Sequence, residues 1–187
     1  MNGTLHWDAT FPLLRLDGAG TRNFVQGQTS ADETNTPEGA LVQTCWLTAT
    51  GRLRALLELR LRANGADVLV LAGDATDVSK GFDQVIFPAD RVRLQPITEQ
   101  RRVQPLSSNS VALWLDQNSP IPANWISDPA DPQQFERWRI EQGLAIGPGE
   151  LSANANPLEL GLADHVSLSK GCYLGQETVA KLANLGG

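Results

Sequence analysis

The stretch Ser169-Lys170-Gly171-Cys172-Tyr173-Leu174-Gly175-Gln176-Glu177 sets a cation, a thiol, a phenol, an amide and a carboxylate close together in the chain. The reactive form of a cysteine is the thiolate, and an unperturbed thiol gives it up only at a pKa of about 8.5. Two features here favour the charged form. Lys170 stands two residues from Cys172. The run Gln176 to Leu182 also reads as a helix, on the spacing of Val179, Leu182 and Ala183, which puts Cys172 just outside a helix N-terminus. Gly175 falls where that helix would begin, and Glu177 falls in its first turn, where a carboxylate suits the positive end of the dipole. Cys172 and Lys170 are the candidate reactive groups.

Little else in the chain completes a self-contained active site around them. His165 lies seven residues upstream and reads as a surface or structural residue, so no general base for Cys172 is identified. Cys45, Cys172, His6 and His165 are the soft ligands available, and no spacing among them matches a metal motif. A protein-only metal site is not expected. Cys45 sits inside an alternating strand pattern and reads as a small sheet or core residue.

With 187 residues, 41% hydrophobic and 19% charged, the chain has the composition of a soluble globular protein able to bury a real core. Its net charge of −6 and pI near 4.9 argue against gripping nucleic-acid backbones directly. No apolar run approaches the roughly 20 residues of a membrane span. The start, Met1-Asn2-Gly3-Thr4-Leu5-His6-Trp7-Asp8, lacks the basic and apolar regions of a signal peptide. So few cysteines imply reduced thiols and a cytoplasmic setting.

The elements that would position the motif follow from periodicity. Phe11 to Asp17 reads as a strand ending at Gly18, and Thr21 to Gln28 as a short helix burying Phe24 and Val25. Gln26-Gly27-Gln28-Thr29 marks a helix C-terminus or turn, or else a polar loop beside a pocket. Gly39 to Leu47 and Leu53 to Leu61 alternate as a half-buried antiparallel hairpin, with Leu53, Ala55, Leu57, Leu59 and Leu61 on one face and Arg54, Glu58, Arg60 and Arg62 mostly on the other. Asn64-Gly65 turns into a strand over Asp67 to Ala72. A helix over Asp74 to Phe87 carries Val78, Phe82, Val85 and Ile86 on one face, and Ala89 to Ile97 and Val111 to Leu115 read as strands. After a proline-rich stretch over Asn118 to Pro132, Asp131 and Pro132 open a helix through Gln142 that holds Phe135 and Trp138. The fold class is α+β, a mainly antiparallel sheet with helices packed on one face. The expected organisation is an N-terminal α+β domain over 1–117, then a linker, helix and Lys-Gly-Cys segment over 118–187 that packs on it as one unit or stands apart.

With these blocks in view, the chain resembles the YgfZ-type folate-binding proteins, relatives of the glycine-cleavage T-protein (GcvT-like). Lys170 to Glu177 is similar to that family's Lys-Gly-Cys-aromatic-aliphatic-Gly-Gln-Glu signature. Arg139-Ile140-Glu141-Gln142-Gly143, Leu16-Asp17-Gly18-Ala19-Gly20 through Phe24-Val25-Gln26-Gly27-Gln28-Thr29, and Thr50-Gly51-Arg52-Leu53 resemble three further blocks, in the family's order. The resemblance implies a T-protein-like N-terminal region, with the family's C-terminal β-rich domain absent from this sequence. It implies tetrahydrofolate or a related folate as the cofactor, held in the middle of the fold. Phe11 and Phe135, with Trp138 as an alternative, would flank the pterin by stacking, and Tyr173, Gln176 and Glu177 would contribute to the same site. The implied partners are iron–sulfur client or assembly proteins, including tRNA-modifying enzymes; neither a membrane nor direct nucleic-acid binding is implied. T-proteins that transfer an aminomethyl group carry acidic residues soon after the hairpin glycine. Here Arg52-Leu53-Arg54-Ala55-Leu56 holds no carboxylate before Glu58, so the resemblance implies an aminomethyltransferase-like chain from which glycine-cleavage aminomethyl transfer is not expected.

Three readings of Cys172 stay open at this point. In one, its thiolate lies beside the folate pocket, with Lys170 holding its charge and Gln176 and Glu177 orienting polar groups, and it carries a sulfur-linked or one-carbon step or ligates a shared cluster. In another, it is a contact or redox-sensitive residue on a client-binding surface. In the third, it is a buried residue in a tight turn. The corresponding functions are a folate-binding accessory protein for iron–sulfur enzymes, a folate-dependent one-carbon transferase, or a non-catalytic interaction module.

Overall fold

Side-chain alternation along the strands accounts for most of the architecture. In the computed structural model, which describes residues 3–108, 110–147, 149–151 and 154–184, the strands are β1 (His6–Asp17), β2 (Leu41–Leu47), β3 (Leu53–Arg62), β4 (Gly65–Ala72), β5 (Arg93–Leu94), β6 (Thr98–Pro105) and β7 (Leu113–Leu115). Met1, Asn2, parts of the 147–157 loop and Gly187 lie outside those residues. The strands form an antiparallel sheet in the order β2-β3-β4-β1-β6-β7, with β5 also pairing β1. The helices are α1 (Thr21–Gln28), α2 (Ala75–Asp83), α3 (Pro132–Glu141) and α4 (Gln176–Asn184). This is the α+β, mainly antiparallel class expected. Among the described residues no helix is long and apolar enough to cross a membrane.

Alternate residues of the same strands feed two cores. Leu14, Leu16, Leu57, Leu59, Val68 and Val70 pack against Phe24 and Val25 of α1 and Val78 and Phe82 of α2. Leu13, Cys45, Leu56, Leu69 and Leu71 point the other way and are covered by Trp138 of α3, Leu162, Tyr173 and Val179 of α4. α1 and α2 supply the expected helical layer on one face, and the segment from α3 to α4 covers the second. Because that second face is covered, Glu58 is only 2% exposed, where the hairpin pattern predicts a solvent-facing side chain.

Several elements differ from expectation, β7 for one beginning at Leu113 instead of Val111. β1 begins five residues earlier, at His6. α2 ends at Asp83 instead of reaching Phe87; Pro88 disfavours helical dihedrals for the residue before it, and Phe87 is extended. The strand expected over Ala89 to Ile97 shrinks to β5, because a 3-10 turn over Pro88–Asp90 and a left-handed Arg91, at φ 53°, interrupt it. The structure adds β6, paired with β1 from His6 opposite Pro105 to Leu13 opposite Thr98, where no strand is expected.

Candidate functional site

The Lys-Gly-Cys motif is held by the β2–β3 turn. Gly175 has φ 82°, and a Cβ there would lie 2.5 Å from the Thr48 carbonyl oxygen and 3.1 Å from the Gly51 Cα. The hairpin turn and the start of α4 thus approach through two glycines, each in a left-handed conformation. Leu174 N–H donates to the Gly27 carbonyl at 3.1 Å, and Gln176 Nε2 donates to the Lys170 carbonyl at 3.3 Å. The exposed Cys172 opens onto a groove of about 460 Å³ lined by Gly27, Gln28, Ala49 and residues 172–178. Gln28 and Gly27 therefore belong both to a helix C-terminus and to a groove wall. Glu177 is exposed beside them.

Lys170 turns away from that groove. Its Nζ donates to the carbonyls of Thr29 (2.8 Å) and Ala31 and approaches Glu33 Oε2 at 3.4 Å, with both side chains almost fully buried. The Tyr173 ring lies 5.1 Å from the same ammonium. Burial pushes the Lys170 pKa down and the Glu33 pKa up, and each partner's charge opposes the shift in the other. The expectation that Lys170 holds the charge of a Cys172 thiolate is corrected accordingly: its ammonium is committed inward, where three protein oxygens replace its water shell. Tyr173 is 6% exposed, and its hydroxyl has no partner among the described residues.

The expected pterin flanks are also occupied. Because β1 starts at His6, Trp7 shares a face with Phe11, and it fills the space between the two aromatics. Its ring stacks on Phe135 at 4.5 Å and meets Phe11 edge-on at 5.4 Å. Phe11 and Phe135 are thus brought together, but around Trp7 and not around an open slot.

A second constellation lies on the face covered by α3. Glu58 accepts hydrogen bonds from Arg102 Nε and Nη2 (both 2.8 Å), Trp114 Nε1 (2.7 Å) and Gln43 Nε2 (3.2 Å). Burial would raise the Glu58 carboxyl, but the Arg102 fork overcomes it and holds the pKa below the usual carboxylate value. Since Gln43 spends its amide nitrogen on Glu58, its Oε1 is an acceptor, and His165 Nε2 donates to it at 2.8 Å. That assignment leaves His165 Nδ1 as an acceptor with no partner among the described residues. Burial keeps the imidazole below its ordinary value.

Gln43, Gln104, Trp138, Leu144, Leu162 and His165 line a cavity of about 150 Å³ at this place. Gln104 spends its amide nitrogen on Ser110, and its Oε1 is buried without a partner among the described residues, as is Trp138 Nε1. Gln104 is 9% exposed and Trp138 8%. Buried polar atoms are nearly always hydrogen-bonded, since leaving one unpaired costs about 1–3 kcal/mol. Three orphans about one cavity, the acceptors Gln104 Oε1 and His165 Nδ1 and the donor Trp138 Nε1, describe the complement of a ring bearing N–H donors and an acceptor. Of these residues only Trp138 stands out in the sequence as a ligand contact. The signal for the rest is Glu58 inside the run Leu56-Leu57-Glu58-Leu59, a carboxylate that needs a buried partner. Among the described residues no three His, Cys, Asp or Glu side chains gather where they could hold a metal ion.

No family model matches the chain. Over its whole length it is 26% identical to an Arabidopsis thaliana protein named "Putative transferase, chloroplastic", in an alignment of 235 positions that covers 54% of that protein. The chain thus spans about half the length of the curated relative it matches. A glycine cleavage system aminomethyltransferase T from Bartonella henselae superposes on 55% of this chain and 28% of its own, at 15% identity and a TM-score of 0.46, too partial an overlap to define a shared fold.

Proposed function

We propose that this chain binds a folate-type ligand by its pterin ring in the cavity between β2, β6 and α3, within a transferase-like protein. The observation that carries the reading is the set of atoms on Gln104, Trp138 and His165 that have no partner among the described residues. A 2-amino-4-oxo pteridine has the matching edge, with N–H groups for the two acceptors and a carbonyl for the indole N–H. A cavity of about 150 Å³ holds a benzene-sized ring, so the ring end enters and the rest of the ligand stays outside. The motif resemblance and the transferase named in the Arabidopsis protein support the same class. When bound, a reduced folate would supply one-carbon carriage; the chain's residues orient its ring and exclude water from it.

Glycine-cleavage-type aminomethyl transfer is not part of this reading. Glu58, the first carboxylate after Gly51, is saturated by four donors and held ionised, which leaves it no lone pair positioned for proton abstraction. The finer role we infer from the motif resemblance is accessory: support of iron–sulfur enzymes, with the exposed Cys172 offered to a client in its groove. Calorimetric titration with tetrahydrofolate tests the binding step. Micromolar binding is expected, weakened about tenfold by Trp138→Phe or Gln104→Leu, the worth of one hydrogen bond; no binding by the intact chain would overturn it. Cys172→Ser is expected to keep folate affinity and lose support of an iron–sulfur client; retained support removes the accessory role.

A further inference from the structure

The register of the sheet builds a ladder of guanidinium groups beyond the cavity. Across β3, β4 and β1, Arg60 pairs with Asp67 and Asp67 with Arg15. In the next row Arg62 faces Gly65, Gly65 faces Asp17, and Asp17 faces Arg93 of β5. Directly opposed residues share a face, so Arg15, Arg60, Arg62 and Arg93 stand together on the side that carries Glu58. Asp67 is fully buried at the centre and accepts from Arg15 Nε (3.0 Å), Arg60 Nη2 (2.9 Å) and Arg62 Nε (3.1 Å), while Asp17 accepts from Arg62 Nη2 at 2.7 Å.

Four guanidiniums against two carboxylates leave this surface positive on a chain whose net charge is −6. The ion pairs also set the geometry. Gripping Asp67 through Nε fixes the Arg15 fork and leaves its two terminal nitrogens without a protein partner among the described residues. Its side chain is 48% exposed. Forks held this way present a preorganised carboxylate-binding edge at little further cost in side-chain entropy.

Arg60 joins the ladder to the cavity. Its guanidinium lies 4.6 Å from the centre of the Trp114 ring, whose N–H bonds Glu58, which in turn holds Gln43 of the cavity wall. Arg60 is two residues beyond Glu58, about 7 Å along the strand, and the ladder then crosses two strand spacings, about 10 Å. At its far end a groove of about 420 Å³ is lined by Asp17, Arg91, Arg93 and Gln95.

We propose that this ladder binds a chain of carboxylates, the poly-γ-glutamate tail of the folate-type ligand. The inference rests on the folate reading for the identity of the ligand, while its recognition chemistry is the ladder's own. Each γ-linked glutamate brings one free carboxylate, and the arginine rows offer successive forks on the same scale.

The test compares tetrahydrofolate carrying one glutamate, its pentaglutamate form, and free penta-γ-glutamate, each titrated into the whole chain at low and high salt. The pentaglutamate is expected to bind about tenfold tighter than the monoglutamate, the sum of several exposed ion pairs. The advantage should vanish at high salt and in Arg15→Gln/Arg93→Gln, with monoglutamate affinity unchanged. Arg93→Gln alone disturbs no ion pair among the described residues and is expected to halve the advantage or more, which covers a folding failure of the double variant. Equal affinity for the two folates overturns the ladder and leaves the ring reading intact. Salt-sensitive, Arg93-dependent binding of free penta-γ-glutamate without any binding of tetrahydrofolate keeps the ladder and removes the ring. A tail advantage indifferent to both variants overturns the ladder.

Discussion

The two faces of the sheet are built from alternate residues of the same strands and carry opposite chemistry. Under α1 and α2, Leu14, Leu57, Leu59, Val68, Val78 and Phe82 form a cluster of buried apolar side chains. On the other face, the apolar cluster around Leu13 and Leu56 gives way to Glu58, Arg102, Gln43 and Gln104. Burying an apolar side chain contributes about 1.5–3 kcal/mol. A buried ion pair gives no such return, because well-packed apolar residues of the same volume often stabilise as much or more. The first face is a scaffold, and the second keeps polar groups where a core alone would not need them.

The largest effects separate these roles. Glu58→Ala strands Arg102, 1% exposed at its side chain, without its counter-charge, and is expected to cost about 3–5 kcal/mol in urea unfolding. Phe82→Ala on the scaffold face is expected to cost a similar amount, about 3–5 kcal/mol, through the cavity it leaves. Ligand affinity tells them apart: Phe82→Ala should keep its tetrahydrofolate Kd, measured where the variant is folded. The double variant Glu58→Leu/Arg102→Met should recover most of the stability and none of the binding. Recovery of both would mean that the polar face is only another piece of core.

Lys170 and Cys172 offer the same contrast within one loop. Lys170→Met takes the ammonium away from buried Glu33 and from the Thr29 and Ala31 carbonyls, and is expected to lower stability by about 3 kcal/mol. Cys172→Ser, at an exposed position, is expected to change it by less than about 0.5 kcal/mol. Thermal unfolding of the two variants side by side checks this, and equal losses would put Cys172 in the structural framework as well.

How much of this was readable from residues alone follows the same division. The helix over Thr21 to Gln28 and the start of α3 at Asp131-Pro132 stand where capping and spacing put them, and β2 to β4 follow the apolar alternation except at Leu53, which the register shift between Trp46 and Leu47 turns to the face opposite Ala55, Leu57, Leu59 and Leu61. β6 does not, because in Thr98-Glu99-Gln100-Arg101-Arg102-Val103-Gln104-Pro105 the inward residues Arg102 and Gln104 face a polar interior. Hydrophobic periodicity cannot report a strand whose core side is polar. Glu58 among leucines flags a buried charge, but its partner lies 44 residues away on β6, which the strand order sets beyond β4 and β1. Trp7 between Phe11 and Phe135 depends on where β1 begins, the least readable kind of boundary.

The histidines test the division by pH. His6 is buried against Trp125, with Asp8 and Arg101 the charges that face it, and His165 stands at the cavity beside Asp164; burial holds both below the ordinary value. A lowered histidine pKa means that the unfolded chain binds more protons, so this share of stability is complete above about pH 6.5 and lost as the pH falls. Glu58, also lowered, adds a second loss below about pH 4.3. Stability should therefore respond to both histidines. Tetrahydrofolate affinity should weaken on acidification through His165 alone, since protonating Nδ1 turns an acceptor into a donor. His6→Gln should leave the pH profile of binding in place while flattening that of stability.

The smallest effect concerns the helix that brings Trp138 to the cavity. Asp131 accepts from the N–H groups of Gln133 and Gln134 at 2.8 and 2.9 Å, and Gln134 Oε1 accepts from Asp131 N–H at 3.0 Å, a reciprocal cap. Asp131→Ala removes the carboxylate side of that cap and is expected to cost about 1 kcal/mol. The scaffold face does not depend on α3, so its share of stability should be untouched, and the loss should appear as faster amide exchange confined to the first turn of α3. Binding should weaken by no more than about threefold, because Arg139 still anchors the far end of the helix through Glu150 and the Leu144 carbonyl. A tenfold loss of affinity from this exposed position would show that the N-terminal turn of α3, and not its anchored end, sets where the Trp138 indole N–H stands.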